Sequence, residues 1–149
     1  MNIRHCILVS LLAVASLPTL AAERETLRLT TLADGNRGTK GPVDLAPPGP
    51  SQGDLFVFDQ PLMNEQRQDI GTNSGYCLAT QPGVYSQCQW TLTLKDGAFV
   101  VAGQEAEQGK SVVAVIGATG KYRGFYGQMS SQPNGDGTFT QILEVRRSR

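Results

Sequence analysis

Histidine is almost missing from this chain, cysteine is scarce, and no apolar run after residue 22 is long enough to cross a bilayer; the one histidine is His5 and the cysteines number 3. Each scarcity removes a class of chemistry. The first residues read as a secretory signal: Arg4 supplies a basic start, an almost unbroken apolar run extends from Ile7 to Leu20, and the small residues Ala21 and Ala22 follow. That run is too short for a stable membrane helix. Cys6 precedes it instead of closing it, so no lipid anchor is expected. Cleavage after Ala22 would remove His5. A zinc site, a serine–histidine triad and a histidine general base are then excluded, and no metal is expected.

Charge of one sign is lacking too, with 13 Lys and Arg against 13 Asp and Glu. Loss of Arg4 leaves the processed chain one charge to the acidic side. With no Lys/Arg cluster of any size, a nucleic-acid partner is not expected. Arg146, Arg147 and Arg149 form a small basic tail, which reads as a frayed, solvated terminus.

Two cysteines remain, Cys77 and Cys88. In a secreted or periplasmic chain an even pair points first to a disulfide. Pro82-Gly83 marks a turn, and an antiparallel hairpin about it sets residue 77 opposite residue 88. A four-residue loop, 81–84, closed by Thr80 and Tyr85 makes this a non-hydrogen-bonded pair, the class with the closer side chains.

The rest of the chain reads as short strands at 25–31, 55–62, 71–80, 85–94, 98–106, 111–116, 125–131 and 139–146. Turn signals separate them, among them Asp96-Gly97 and Asn134-Gly135-Asp136-Gly137. Eight such strands with no helical periodicity predict an all-β domain, an eight-stranded antiparallel barrel or a sandwich, and barrel closure would remove exposed edges. The domain starts with a first strand and a Pro/Gly-rich loop (23–53), and residues 54–149 complete it. The loop, 33–53, holds Pro42, Pro47, Pro48 and Pro50 with no strand pattern.

Along 85–94, Cys88, Trp90, Leu92 and Leu94 share one face, while Gln87, Gln89, Thr91 and Thr93 share the other. The hairpin register sets Trp90 against Gly75 and Leu92 against Asn73, so this face should point inward. Asn73 is thus the best candidate for holding a ligand oxygen, with Trp90 beside it. Tyr122 and Tyr126 offer hydroxyls expected near the barrel mouth, and Asp59 is a candidate lumen carboxylate. Segments 55–58 and 112–116 are apolar on both faces, which calls for an outer cover: the long loop or a second subunit. Gly117 to Lys121 lacks the spacing of a phosphate loop and reads as a tight turn.

Gly53-Asp54-Leu55-Phe56-Val57-Phe58, then Leu62, then Gly71-Thr72-Asn73-Ser74-Gly75-Tyr76-Cys77 resemble the second and third strands of the allene oxide cyclase and dirigent superfamily. The stretch from Ala114 to Gly124 is similar to its glycine-rich turn, and Tyr126-Gly127-Gln128 looks more like the cyclase branch than the dirigent branch. Val57 stands where the cyclases carry proline, and Tyr126 where dirigent proteins carry arginine. The cysteine pair looks most like exported bacterial members. The resemblance implies an eight-stranded barrel with an apolar lumen, often a homo-oligomer and commonly a trimer. It also implies a cofactor-free, cyclase- or isomerase-like activity that steers cyclisation or coupling of a small apolar molecule. A non-catalytic small-molecule binder or secreted interaction module on the same barrel is the alternative, since fold does not fix function.

Overall fold

A computed structural model describes residues 24–148; the signal segment expected at 1–22 and Arg149 lie outside the described residues. Nine antiparallel strands make one sheet: β1 (Thr26–Asp34), β2 (Thr39–Val43), β3 (Leu55–Met63), β4 (Asp69–Gln81), β5 (Tyr85–Leu94), β6 (Gly97–Ala106), β7 (Ser111–Ala118), β8 (Phe125–Pro133) and β9 (Thr138–Arg147). The order is β1-β9-β8-β7-β6-β5-β4-β3-β2, and β1 also pairs with β3 through Leu32–Met63 and Ala33–Leu62. That contact closes eight strands into a barrel and leaves β2 outside it. One 3-10 turn, Gly120–Tyr122, is the sole helical element among the described residues.

Alternation fills the barrel. Inward positions at spacing two hold Cys88, Trp90 and Leu92 on β5, Phe99 and Val101 on β6 and Leu143 and Val145 on β9, and Leu92, Phe99, Val101 and Leu143 are fully buried with Leu62, Met129 and Val113. Each such side chain contributes roughly 1.5–3 kcal/mol by leaving water. Trp90 faces Gly75 across β4 and β5, and a Cβ on Gly75 would collide with the Gln89 carbonyl and the Trp90 Cβ. The glycine is what lets the indole and the Phe58 ring meet over it edge-on, with centroids 6.5 Å apart.

One end of the barrel is plugged. Tyr122 packs on Phe99 with ring centroids 4.5 Å apart, and the Arg147 guanidinium lies 4.4 Å from the centre of the Phe125 ring. Arg147 also donates to the Arg123 carbonyl (2.6 Å), the Lys121 carbonyl (3.1 Å) and the Glu25 carboxylate (2.7 Å). The basic tail is therefore not frayed at Arg146 and Arg147. Both lie in β9, where Arg146 stacks on Tyr126 at 5.1 Å and the cationic groups are held by carbonyls and ring faces.

Two further expectations are corrected. The segment 33–53 contains a strand, β2, which pairs with β3 from Thr39–Asp59 to Val43–Leu55. The pairing comes from the β3 edge that β1 leaves free, and an edge position tolerates Pro42. The β4–β5 loop has three residues, Pro82 to Val84, closed by Gln81 and Tyr85, with Thr80 bulged out. The bulge restores the parity a three-residue loop would upset, so Cys77 still faces Cys88. Their Cα atoms are 4.0 Å apart and the sulfurs are bonded. The proline-rich segment lies against β3 and leaves the outer face of β7 open, with Val112 54% and Ile116 57% exposed.

The bridge implies that the processed chain, denatured without reductant, has no titratable thiol. Reduction is expected to lower stability by about 3 kcal/mol for a loop of this size. Two titratable thiols per chain would remove the bridge from this account.

Candidate ligand-binding site

The end of the lumen away from the Tyr122 plug is open and polar. Cross-strand rows define it. Nearest the packed core, Gln60, Asn73 and Leu92 lie side by side on β3, β4 and β5; next come Phe58, Gly75 and Trp90; then Phe56 and the Cys77–Cys88 bridge. On the facing wall, Ser131 of β8 pairs with Gln141 of β9, which pairs with Thr31 of β1. Glu105 of β6, opposite Ser86, completes the rim. These walls enclose a cavity of about 110 Å³ lined by Phe56, Phe58, Gln60, Asn73, Cys77, Trp90, Glu105, Ser131, Phe139 and Gln141.

Asn73, Trp90 and Gln141 are 2, 2 and 3% exposed, yet Asn73 Oδ1, Trp90 Nε1 and Gln141 Oε1 have no hydrogen-bond partner within the protein. A buried polar atom left bare costs about 1–3 kcal/mol, so these three call for water or a ligand in the cavity. At about 30 Å³ of liquid volume per molecule, the cavity has room for a few waters or one compact polar head. Trp90 belongs both to this lining and to the apolar core.

Glu105 is the one ionisable side chain lining the cavity. It points inward because it continues the Phe99, Val101, Gly103 alternation of β6. Burial pushes its carboxyl above the ordinary glutamate value of 4.5, and the Ser131 hydroxyl, which favours the carboxylate, offsets part of that. Cys77 Sγ lies 4.0 Å from Glu105 Oε2. Cys77, Cys88 and Glu105 are the one metal-like cluster of His, Cys, Asp or Glu ligands among the described residues, with ligand atoms within 4.8 Å of one another. The disulfide ties up both sulfurs, so this group offers no thiolate to a metal.

A larger recess of about 480 Å³ lies beside the cavity and shares Phe56 and Cys77 with it. Its walls are the inner tips of β3 to β5 and the proline-rich segment at Pro42, Val43, Pro50 and Ser51. Asp54 fastens that segment: its carboxylate accepts from the Leu45 and Ser51 backbone N–H groups at 2.9 and 2.8 Å. These bonds hold the Asp54 carboxyl below its ordinary value.

Of the residues singled out in the sequence, Asn73 and Trp90 meet here, and the bridge of Cys77 and Cys88 forms the lip. Asp59 does not; it is exposed on the outer face of β3 and accepts from the Ser74 hydroxyl at 2.7 Å. Tyr122 plugs the opposite end, and Tyr126 faces outward under Arg146, because Phe125 and Met129 take the inward positions of β8. Sequence reasoning missed Gln60, Glu105, Ser131 and Gln141. For Glu105 the signal was present, since it falls at the inward parity of Phe99 and Val101. Ser131 and Gln141 likewise continue an inward parity, that of Phe125 and Met129 on β8 and of Phe139 and Leu143 on β9, whereas Gln60 follows a run, 55–58, that is apolar on both faces.

A family model described as "Allene oxide cyclase barrel like domain" matches residues 31–140. No curated protein matches the sequence. Among solved structures, a pyocyanin demethylase is similar over 80% of this chain and 99% of its own, at 20% identity and a TM-score of 0.66. An exo-specific intermolecular Diels-Alderase matches over 84% and 99%, at 15% identity and a TM-score of 0.65. A pterocarpan synthase dirigent protein matches over 92% and 98%, at 16% identity and a TM-score of 0.67. At these identities the likeness is one of fold.

Because the folded-state pKa of Glu105 is raised, its contribution to stability is fully present below 4.5 and is lost as pH rises through the folded value. Glu105→Gln should therefore match the parent protein in acid and exceed it at neutral pH, measured by urea unfolding across that range. A stability difference independent of pH would show that the carboxyl is solvated.

Proposed function

The chain belongs to the allene oxide cyclase barrel-like family, and from that membership we propose that it holds a small, largely apolar molecule at the open end of its barrel and steers its cyclisation or coupling. The observation that carries this reading is that three residues with buried, unpartnered polar atoms line one cavity inside an otherwise apolar lumen. Such a cavity, apolar in its walls with a few convergent polar groups, has the composition of a small-molecule site. The Diels-Alderase and the dirigent protein of like fold add support to the cyclisation or coupling part.

Confinement is the mechanism this chain is equipped for. Polar atoms at the cavity end anchor the head of the molecule, while Phe56, Phe58 and Phe139 and the outer recess limit the shapes its body can take. Holding reacting atoms in a near-attack arrangement lowers the barrier without a covalent step. One observation favours a purely binding role: Glu105 is the single ionisable group available for proton transfer. Multiple turnover on a reactive polyene or radical substrate separates the two roles.

The same reading includes export to the periplasm or beyond, with which the disulfide is compatible. It also includes self-association through the exposed apolar face of β7. Light scattering at micromolar concentration is expected to give a mass above that of one processed chain, and Ile116→Glu to lower it; a strict monomer in both would remove the subunit-cover reading.

Saturable binding of an apolar fluorescent probe bearing a hydroxyl is expected. Trp90→Ala would strip part of the cavity lining and roughly 3–5 kcal/mol of core stability, so Trp90→Phe is the informative change. Trp90→Phe and Asn73→Ala should each weaken the probe roughly fivefold to tenfold, the worth of one hydrogen bond. A parent protein that shows no saturable binding by calorimetry would sink the lumen reading.

A further inference from the structure

The chemistry of the unpartnered atoms restricts what the head of the ligand can be. Two are acceptors, Asn73 Oδ1 and Gln141 Oε1, and one is a donor, Trp90 Nε1. A molecule that displaces cavity water without replacing both kinds of bond gains little over that water. Asn73 and Trp90 come from neighbouring strands on one wall and Gln141 from the wall opposite, so a head between them is reached from both sides. The cavity is compact, at about 110 Å³, and the larger recess that shares Phe56 and Cys77 with it has room for the body of the molecule.

Charge narrows the choice further. No Lys or Arg lines the cavity, and Glu105 is the one acidic side chain there. Around Glu105, β4 presents Cys77, β5 presents Ser86, β7 presents Ser111, whose hydroxyl accepts from the Ala106 N–H at 2.9 Å, and β8 presents Ser131. None of these groups ionises in the bridged protein, so no cation stabilises a carboxylate. A ligand carboxylate would bring only acceptors and an uncompensated negative charge to a wall already rich in acceptor oxygens.

Resting on the lumen-binding reading above, we propose that the open end of the barrel selects an apolar molecule whose head is a neutral hydroxy-carbonyl. The head gives its hydroxyl hydrogen to Asn73 Oδ1 or Gln141 Oε1 and accepts at its carbonyl oxygen from Trp90 Nε1 and the carboxylic acid of Glu105. Carboxylates are rejected. Burial keeps Glu105 in the acid form over a wider pH range than a solvated glutamate, which suits it to this donor role. Gln60 and Ser131, both buried, line the same polar end.

The test is a matched series with one ring and a two-carbon tail: phenacyl alcohol, ethylbenzene, phenylacetate and phenethylamine. Binding to the processed, disulfide-bonded protein is measured by calorimetry and by emission of the one tryptophan, Trp90. Phenacyl alcohol is expected to bind about tenfold or more tightly than the other three, on the worth of one to two hydrogen bonds, and to shift the indole emission. Its affinity should fall as pH rises through the raised pKa of Glu105, because the carboxylate no longer donates. In Glu105→Gln, whose amide keeps a donor, the affinity should remain and lose its pH dependence. Ethylbenzene binding as tightly as phenacyl alcohol would overturn the head-group selection while leaving the lumen as the binding site. Phenylacetate or phenethylamine binding tightest would overturn it in favour of a charged ligand. Failure of all four to bind saturably would overturn the lumen reading itself and the proposal with it.

Discussion

Because Trp90 pairs directly with Gly75 and Cys88 with Cys77 on the neighbouring strand, alternate residues of β4 and β5 are committed to the lumen, and the contents of the cavity follow from that one register. A slip of one residue would turn Trp90 and Leu92 outward and bring Gln89 and Thr91 in. Two devices hold the register. The bridge ties the hairpin covalently near its tip, and Gly75 leaves room for the indole that any Cβ there would take. The Thr80 bulge is the local adjustment that lets a tight three-residue loop coexist with both.

From this hairpin the lumen divides into two unequal parts. Below Trp90 the interior is solid with Leu92, Phe99, Val101, Met129 and Leu143, and it is sealed by Tyr122, Phe125 and Arg147. Toward the open end the same inward parity delivers Asn73, Gln60, Glu105, Ser131 and Gln141 in place of aliphatic residues. The stable half lets the other half carry groups that cost stability. Three bare polar atoms and a desolvated carboxyl are tolerated because the packed end and the continuous ring of strand pairing hold the walls.

The outer surface follows a different logic. β2 and the loop anchored on Asp54 border β3 and shape the recess at the mouth, so the proline-rich segment serves the site more than it shields the barrel. On β7 the apolar residues Val112 and Ile116 keep their exposure, and the wall there is apolar on both sides. A single strand thus contributes to the core through Val113 and Val115 and offers an uncovered apolar stripe through its neighbours.

Periodicity, turn residues and cysteine spacing were enough, read alone, to give eight strands, an all-β domain that is either a barrel or a sandwich, the Cys77–Cys88 pairing and the inward placement of Trp90 and Asn73. Those properties depend on contacts between residues close in sequence, within one hairpin or along one strand. Tertiary structure alone decided the rest. Gln60, Ser131 and Gln141 meet Asn73 only because closure of β1 on β3 brings distant strands around one axis. Tyr122 and Tyr126 were assigned to the mouth because the sequence shows that a tyrosine is near a strand end but not which end of the barrel is sealed. β2 was invisible because its pairing depends on an edge that exists only after the barrel has closed. The same holds for Arg147, whose partners Glu25, Lys121 and Arg123 come from the chain's start and from a turn more than twenty residues earlier. Local pattern fixes which face a side chain takes; which other faces it then meets is set by how the sheet closes on itself.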